Sequence, residues 1–222
     1  MTSRTAPTYT RREQIADMTV HAIGVLGALL AVPVLITLAA MGEDPQAAFI
    51  AAVAVYGVSL LVMLGMSAGY NFSVLRRRGG RLLEGLRRAD HAAIYVKIAG
   101  TYTPYAVIAG GPVGRWLLIG VWSGALLGFL GKVLAPDKWE RASIVLYLAM
   151  GWLFVFAAGP ISAAISTATL VLILVGGGLY TVGVLFHLWH RLPYQNAIWH
   201  LFVLLASFVF YSAALVEVAI RT

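Results

Sequence analysis

The chain has 222 residues, 60% of them hydrophobic and 11% charged, at a mean hydropathy of +0.85; so apolar a mix excludes an ordinary soluble domain. The absence of cysteine excludes disulfides and thiolate metal ligands, leaving His, Asp, Glu, Asn and Ser to carry any site chemistry. A net charge of +7 fits either nucleic-acid binding or basic cytoplasmic loops, and the positions of the charges decide between them.

The segment 1–18, MTSRTAPTYTRREQIADM, precedes the first apolar run. It is too long and too polar for the n-region of a signal peptide, so it reads as a retained cytoplasmic tail ahead of one membrane domain, 19–222. Apolar stretches follow at 19–40, 47–74, 90–109, 115–135, 142–158, 162–188 and 196–219. A spanning helix uses roughly 20 such residues, so the pattern predicts an all-α bundle of seven transmembrane helices. The breaks are GEDPQ at 42–46, the basic segment RRRGGRLLEGLRRA at 76–89, GGPVG at 110–114, PDKWER at 136–141, Gly159-Pro160, and HRLPYQ at 190–195. The fifth break is the shortest, and a single kinked segment over 142–188 is the alternative there, longer than one span needs.

With the N-terminus inside, Arg4, Arg11, Arg12, Arg76, Arg77, Arg78, Arg81, Arg87, Arg88, Lys132, Lys138, Arg141 and Arg191 fall on the cytoplasmic side, thirteen of the sixteen basic residues. The outer side receives Arg115 and Arg221, with Glu43 and Asp44 in its first loop. The positive-inside rule then gives a cytoplasmic N-terminus and an external C-terminus. No nucleic-acid partner is expected; the Arg-rich 76–88 segment is expected to meet anionic lipid headgroups. Pro33, Pro104 and Gly176-Gly177-Gly178 fall inside spans, where kinks and close contacts are tolerated. Ala28, Gly57, Gly65, Gly124, Gly128 and Gly183 suit tight helix packing.

Polar residues inside spans are costly, and each is a functional candidate. His21 opens the first span, Ser67 and Asn71 close the second, Asp90 and His91 open the third, and Asn196 and His200 begin the seventh. At about 1.5 Å rise per residue, all seven share one layer near the cytoplasmic face. Ser67/Asn71 and Asn196/His200 are each four residues apart and share a helix face. Two readings stay open from spacing: a converging site, or interhelical hydrogen bonds with interfacial histidines. Lys97 stands two turns deeper than Asp90 and is expected to snorkel or face a cavity. Glu217 near the outer end of the last span is not expected to pair with it, and His187 and His190 are expected to face headgroups.

At these residues the chain resembles the hemolysin III branch of the progestin and adipoQ receptor family. The resemblance rests on EQIADMTVHAIG at 13–24, SAGYN at 67–71, ADHAAIYVKIAGTYTP at 89–104, YLAMGW at 147–152 and LPYQNAIWHLFVLLAS at 192–207. It implies seven helices and a zinc ion held by three histidines, one on the second helix and two on the seventh, with an Asp and a Ser supporting bound water. The chemistry it implies is hydrolysis of a lipid amide, zinc lowering the pKa of its water and polarising the carbonyl.

Carried across, Ser67, Asp90 and His200 match, whereas Asn71 and Asn196 stand at the other two ligand positions. An amide oxygen suits harder cations than zinc. The expectation is therefore a degenerate zinc site with no cofactor, in which Asn71, Asn196, Ser67, Asp90 and His200 form a hydrogen-bonded cluster, with His21 and His91 nearby. The corresponding function is membrane lipid homeostasis in the plasma membrane, with membrane lipids as partners. A zinc-dependent lipid hydrolase using Ser67 and Asp90, and a pore or proton-linked transporter, are the alternatives.

Overall fold

A computed structural model describes residues 9–43, 45–76, 79–135 and 139–221. Arg4, Asp44, Arg77, Arg78 and Lys138, which the charge reading assigned to sides, lie outside the described residues. The described chain is helical throughout: α1 (Arg11–Ala40), α2 (Ala47–Leu75), α3 (Gly80–Ala109), α4 (Gly111–Leu134), α5 (Glu140–Gly151), a 3-10 turn (Leu153–Ala157), α6 (Ala158–Ala164), α7 (Thr167–Leu188) and α8 (Gln195–Arg221). Five of these, α1, α2, α4, α7 and α8, are long and apolar enough to cross a membrane. Their outward faces carry large apolar side chains, such as Leu26, Leu29 and Leu30 on α1, Trp116, Leu126 and Leu127 on α4, and Leu185 on α7. A shell of that kind has no place in water.

α3 is as long as α1 but less apolar, because its first turns carry Arg81, Glu84, Arg87, Arg88 and Asp90; it packs against α2, α4, α5 and α6. Tyr95, Ala99 and Ala92 on it are completely shielded. Close approach is built into its contacts. A Cβ on Gly100 would overlap the Ser59 hydroxyl of α2, and one on Gly128 of α4 would overlap the Tyr95 ring. Gly57, Gly124 and Gly183 likewise face Val32, Met150 and Trp199 with Phe202, while a Cβ on Gly65 would meet nothing within 4 Å. Pro33 and Pro104 lie within continuous helices.

Three boundaries differ from the sequence reading. α1 starts at Arg11, well before the apolar run, because Thr10 and Glu13 form a capping box that satisfies amide donors at the helix start. The basic segment before Asp90 is helical from Gly80 rather than a loop. Glu84 accepts hydrogen bonds from Arg87 at 3.0 and 3.1 Å and from Arg88 at 2.9 Å, which supports a helix at spacings of three and four. The break expected at Gly159-Pro160 falls instead at Ile165-Ser166. Pro160 sits in the first turn of α6, where its missing N–H costs nothing. Ser166 then caps α7 through the Thr169 amide at 3.1 Å.

Candidate functional site

Three helices contribute polar pairs at a spacing of four. α1 presents Asp17 and His21, α2 Ser67 and Asn71, and α8 Asn196 and His200. The side chains meet around Asp17, which is 4% exposed. Its carboxylate accepts from His200 Nδ1 at 2.6 Å and from Asn196 Nδ2 at 3.0 Å. Asn196 Nδ2 also reaches Asn71 Oδ1 at 3.4 Å, and Asn71 Nδ2 donates back to the Ser67 carbonyl at 3.0 Å. His21 Nδ1 donates to the Asp17 carbonyl at 2.8 Å while its Nε2 meets the Ser67 hydroxyl at 3.0 Å. The two imidazoles stand edge to face, 4.3 Å between centroids.

Proton counting fixes much of this network. The Asp17 carbonyl can only accept, so His21 carries its proton on Nδ1 and, when neutral, turns a lone pair on Nε2 toward Ser67. Asp90, which is 8% exposed, lies beside Ser67. When the Ser67 hydroxyl donates its proton to a neutral His21, it has none left to offer a second acceptor.

Of the residues singled out from sequence, Ser67, Asn71, Asn196, His200 and His21 are in direct contact, and Asp90 lies beside Ser67. His91 does not join. It lines the same cavity but its ring lies in the field of Lys132 and Arg87, about 100 degrees around α3 from its neighbour Asp90. Asp17 was not singled out as a site residue, although it stands four residues before His21, the same spacing that flagged the other two pairs; the polar composition of 1–18 hid it.

The first turn of α1 is stapled to the segment between α7 and α8. Tyr9 donates to Gln195 at 3.1 Å and Gln195 donates to the His187 carbonyl at 2.7 Å. The Tyr194 amide, on a backbone with φ 58, donates to Glu13 at 2.9 Å. That bond, with those from Thr10, holds the Glu13 carboxyl below the usual carboxylate range. A non-glycine residue at positive φ beside a polar site is uncommon and costs energy, and here the Glu13 bond holds it.

A cavity of about 1400 Å³ opens from this cluster and runs past Lys97, Thr101 and Tyr105 to Phe210. Its walls are mostly apolar, among them Met63, Leu64, Ile98 and Ile173. A mostly apolar lining with a few convergent polar groups is the usual form of a ligand site, and this cavity is larger than most.

The donor set can be tested against zinc. At positions 71, 196 and 200 it offers one imidazole and two amides, and the amides are bound to one another and to Asp17. That set does not fit zinc. A different set converges: Asp17, His21 and His200 each bring one ligand atom within 4.8 Å of the others. Two imidazoles and a carboxylate with room for water is a donor set that divalent metals accept, and Nδ1 donation to a backbone carbonyl is how ligating histidines are oriented.

A family model described as Haemolysin-III related matches residues 9–211. The hemolysin-3 homolog of Bacillus subtilis is 39% identical over 88% of this chain and 90% of its own length. Hemolysin-3 of Bacillus cereus is 38% identical over 87% of this chain and 86% of its own. The human monocyte to macrophage differentiation factor is 28% identical over 72% of this chain and 67% of its own.

Proposed function

The chain belongs to the haemolysin-III-related family, and from that premise we propose that it is a lipid-handling protein of the plasma membrane that takes a lipid into the cavity beneath the Asp17 cluster. It crosses the bilayer seven times, N-terminus inside and C-terminus outside, the membrane domain 19–222 following a cytoplasmic segment 1–18. The spans beyond the five apolar helices are α3 from Asp90 onward and the α5 to 3-10 segment. Retention of the family scaffold, with amides at two of the implied ligand positions, fits a role in lipid homeostasis. The observation that carries the reading is the continuity of a mostly apolar cavity of about 1400 Å³ with a buried polar cluster. An acyl chain fits the walls and a polar headgroup fits the cluster, beside arginines that meet anionic headgroups at the membrane surface. The test is lipid extraction from the purified protein followed by mass spectrometry. A defined lipid class retained by the wild type and lost when Leu64 and Ile173 are both replaced by Trp supports the reading; equal retention by both proteins refutes it.

One observation favours a second reading, a metal-dependent lipid hydrolase: the convergence of Asp17, His21 and His200. A divalent ion held there would supply an acidified water and polarise a lipid carbonyl. Asp17 would fix both imidazoles, while Ser67 and Asp90 would hold and return a proton beside them. Metal content per chain separates the readings. Near-stoichiometric metal, lost in both His21→Ala and His200→Ala, supports the hydrolase. Metal bound only after Asn71→His with Asn196→His supports a scaffold without its ion.

A further inference from the structure

Lys97 is 2% exposed, in the middle of α3, and lines the cavity two turns below Asp90. Its ammonium donates to the Thr101 hydroxyl at 2.6 Å, and Thr101 passes its own proton back to the Lys97 carbonyl at 2.7 Å. The π faces of Tyr56 and Phe210 lie 5.0 and 5.4 Å from Nζ. Among the described residues Lys97 forms no ion pair. One hydroxyl and two ring faces satisfy part of an ammonium that has three N–H groups, and burying a cation without an anion is costly.

The neighbours have the same deficit. The Tyr105 and Tyr56 hydroxyls are buried with no hydrogen-bond partner, and Tyr105 also lines the cavity. The Tyr180 hydroxyl is occupied by Ser207 at 3.1 Å. Glu217, the carboxylate whose charge reaches Tyr105, is already bound by the Ser166 amide at 2.8 Å and by Arg221 at 3.1 Å. Among the described residues this end of the cavity thus holds donors in surplus and no free anionic acceptor, in contrast to the cluster around Asp17. Buried polar groups in folded proteins find partners, and a cavity offers the space for a ligand to supply them.

We propose that Lys97, with Tyr105, is an anion subsite that binds the carboxylate of a single-chain amphiphile lying in the cavity. The proposal rests on the lipid-binding reading of the cavity and names the ligand class it holds. The carboxylate accepts from Nζ and the Tyr105 hydroxyl, and the alkyl chain lies along Ile98, Ile173 and Leu174.

The experiment measures binding of palmitate, hexadecanol and acetate to the full chain in detergent, by competition with a fluorescent fatty-acid probe. Palmitate is expected to bind at least about tenfold more tightly than hexadecanol, the scale of one charge-assisted hydrogen bond. Lys97→Met removes that preference and leaves hexadecanol affinity unchanged, Lys97→Arg keeps most of it, and Tyr105→Phe weakens palmitate alone by a few-fold. Tyr105→Phe deletes one oxygen, so it keeps the test open should Lys97→Met fail to fold. Equal binding of acid and alcohol, unaffected by either change, overturns the subsite while leaving the lipid cavity standing. Acetate competing as well as palmitate overturns the amphiphile. Binding of none of the three overturns both the subsite and the reading it rests on.

Discussion

Replacing Asp17 by alanine removes the α1 carboxylate that accepts two hydrogen bonds from α8. His200 Nδ1, at 2.6 Å, and one hydrogen of Asn196 Nδ2, at 3.0 Å, lose their partner. A buried donor left without an acceptor costs roughly 1–3 kcal/mol, so two together predict a loss of about 2–6 kcal/mol. The His21 bond to the backbone carbonyl of residue 17 survives the change, which keeps the estimate from rising further. Asp17→Asn has a different expected outcome. The amide oxygen still accepts one bond, but its NH₂ faces His200 if Asn196 keeps the oxygen, so the imidazole must present a lone pair from Nδ1 and carry its proton on Nε2. Denaturant titration in detergent micelles reads the stability, and imidazole nitrogen chemical shifts read the tautomer. An Asp17→Ala protein within about 0.5 kcal/mol of wild type, the range of ordinary surface changes, would refute the central role assigned to this carboxylate. An unchanged His200 tautomer in an Asp17→Asn protein that keeps the Asn196 bond would refute the proton assignment.

Glu13 has its pKa lowered in the fold by the Tyr194 and Thr10 bonds, so its contribution is present above the ordinary carboxylate range and is lost as pH falls through the lowered value. Thermal midpoints measured across acidic pH should therefore decline more steeply in the wild type than in Glu13→Gln, and parallel curves would disprove the staple. Gly128→Ala and Gly100→Ala force a methyl into Tyr95 and Ser59 and are expected to destabilise by about 1–3 kcal/mol. Gly65→Ala, with open space around it, should be neutral or stabilising by up to ~1 kcal/mol through helix propensity; unfolding titrations of the three separate packing from propensity. Ser166→Ala should lose the cap on α7, worth about 0.5–2 kcal/mol, whereas Pro160→Ala should change little, and equal effects at the two sites would argue that the helix break is misplaced.

The helical class, the positions of the long apolar helices and the layer of polar residues were legible because hydropathy and spacing are local properties. Ser67, Asn71, Asn196 and His200 could be grouped from their spacing of four, and all four meet. Asp17 escaped because hydropathy treats 11–18 as solvent-exposed tail, while a capping box at Thr10 extends α1 through it. A charge inside a helix that the composition assigns to water looks free, and only the packing of α8 against α1 makes it buried. The break near Gly159-Pro160 failed for a related reason: glycine and proline are permissive of a turn there, but proline also opens a helix, and the serine cap six residues later decides. His91 lines the same cavity without joining the cluster, because successive residues on a helix project about 100 degrees apart.

The same α3 carries Asp90 and Lys97 on the wall of one cavity, two turns or about 10 Å apart along the axis. One end of that cavity carries the acceptors Asp17, Asp90 and Asn71, and the other carries the donors Lys97 and Tyr105, with the Tyr56 hydroxyl buried nearby. Neither set can satisfy the other across that distance, because a side-chain hydrogen bond reaches only about 3 Å. On the proposed lipid-binding reading, a ligand would turn its donors toward Asp17 and an anion toward Lys97, so the cavity would discriminate by polarity along the helix axis, and the apolar walls between the two ends would add affinity without adding direction.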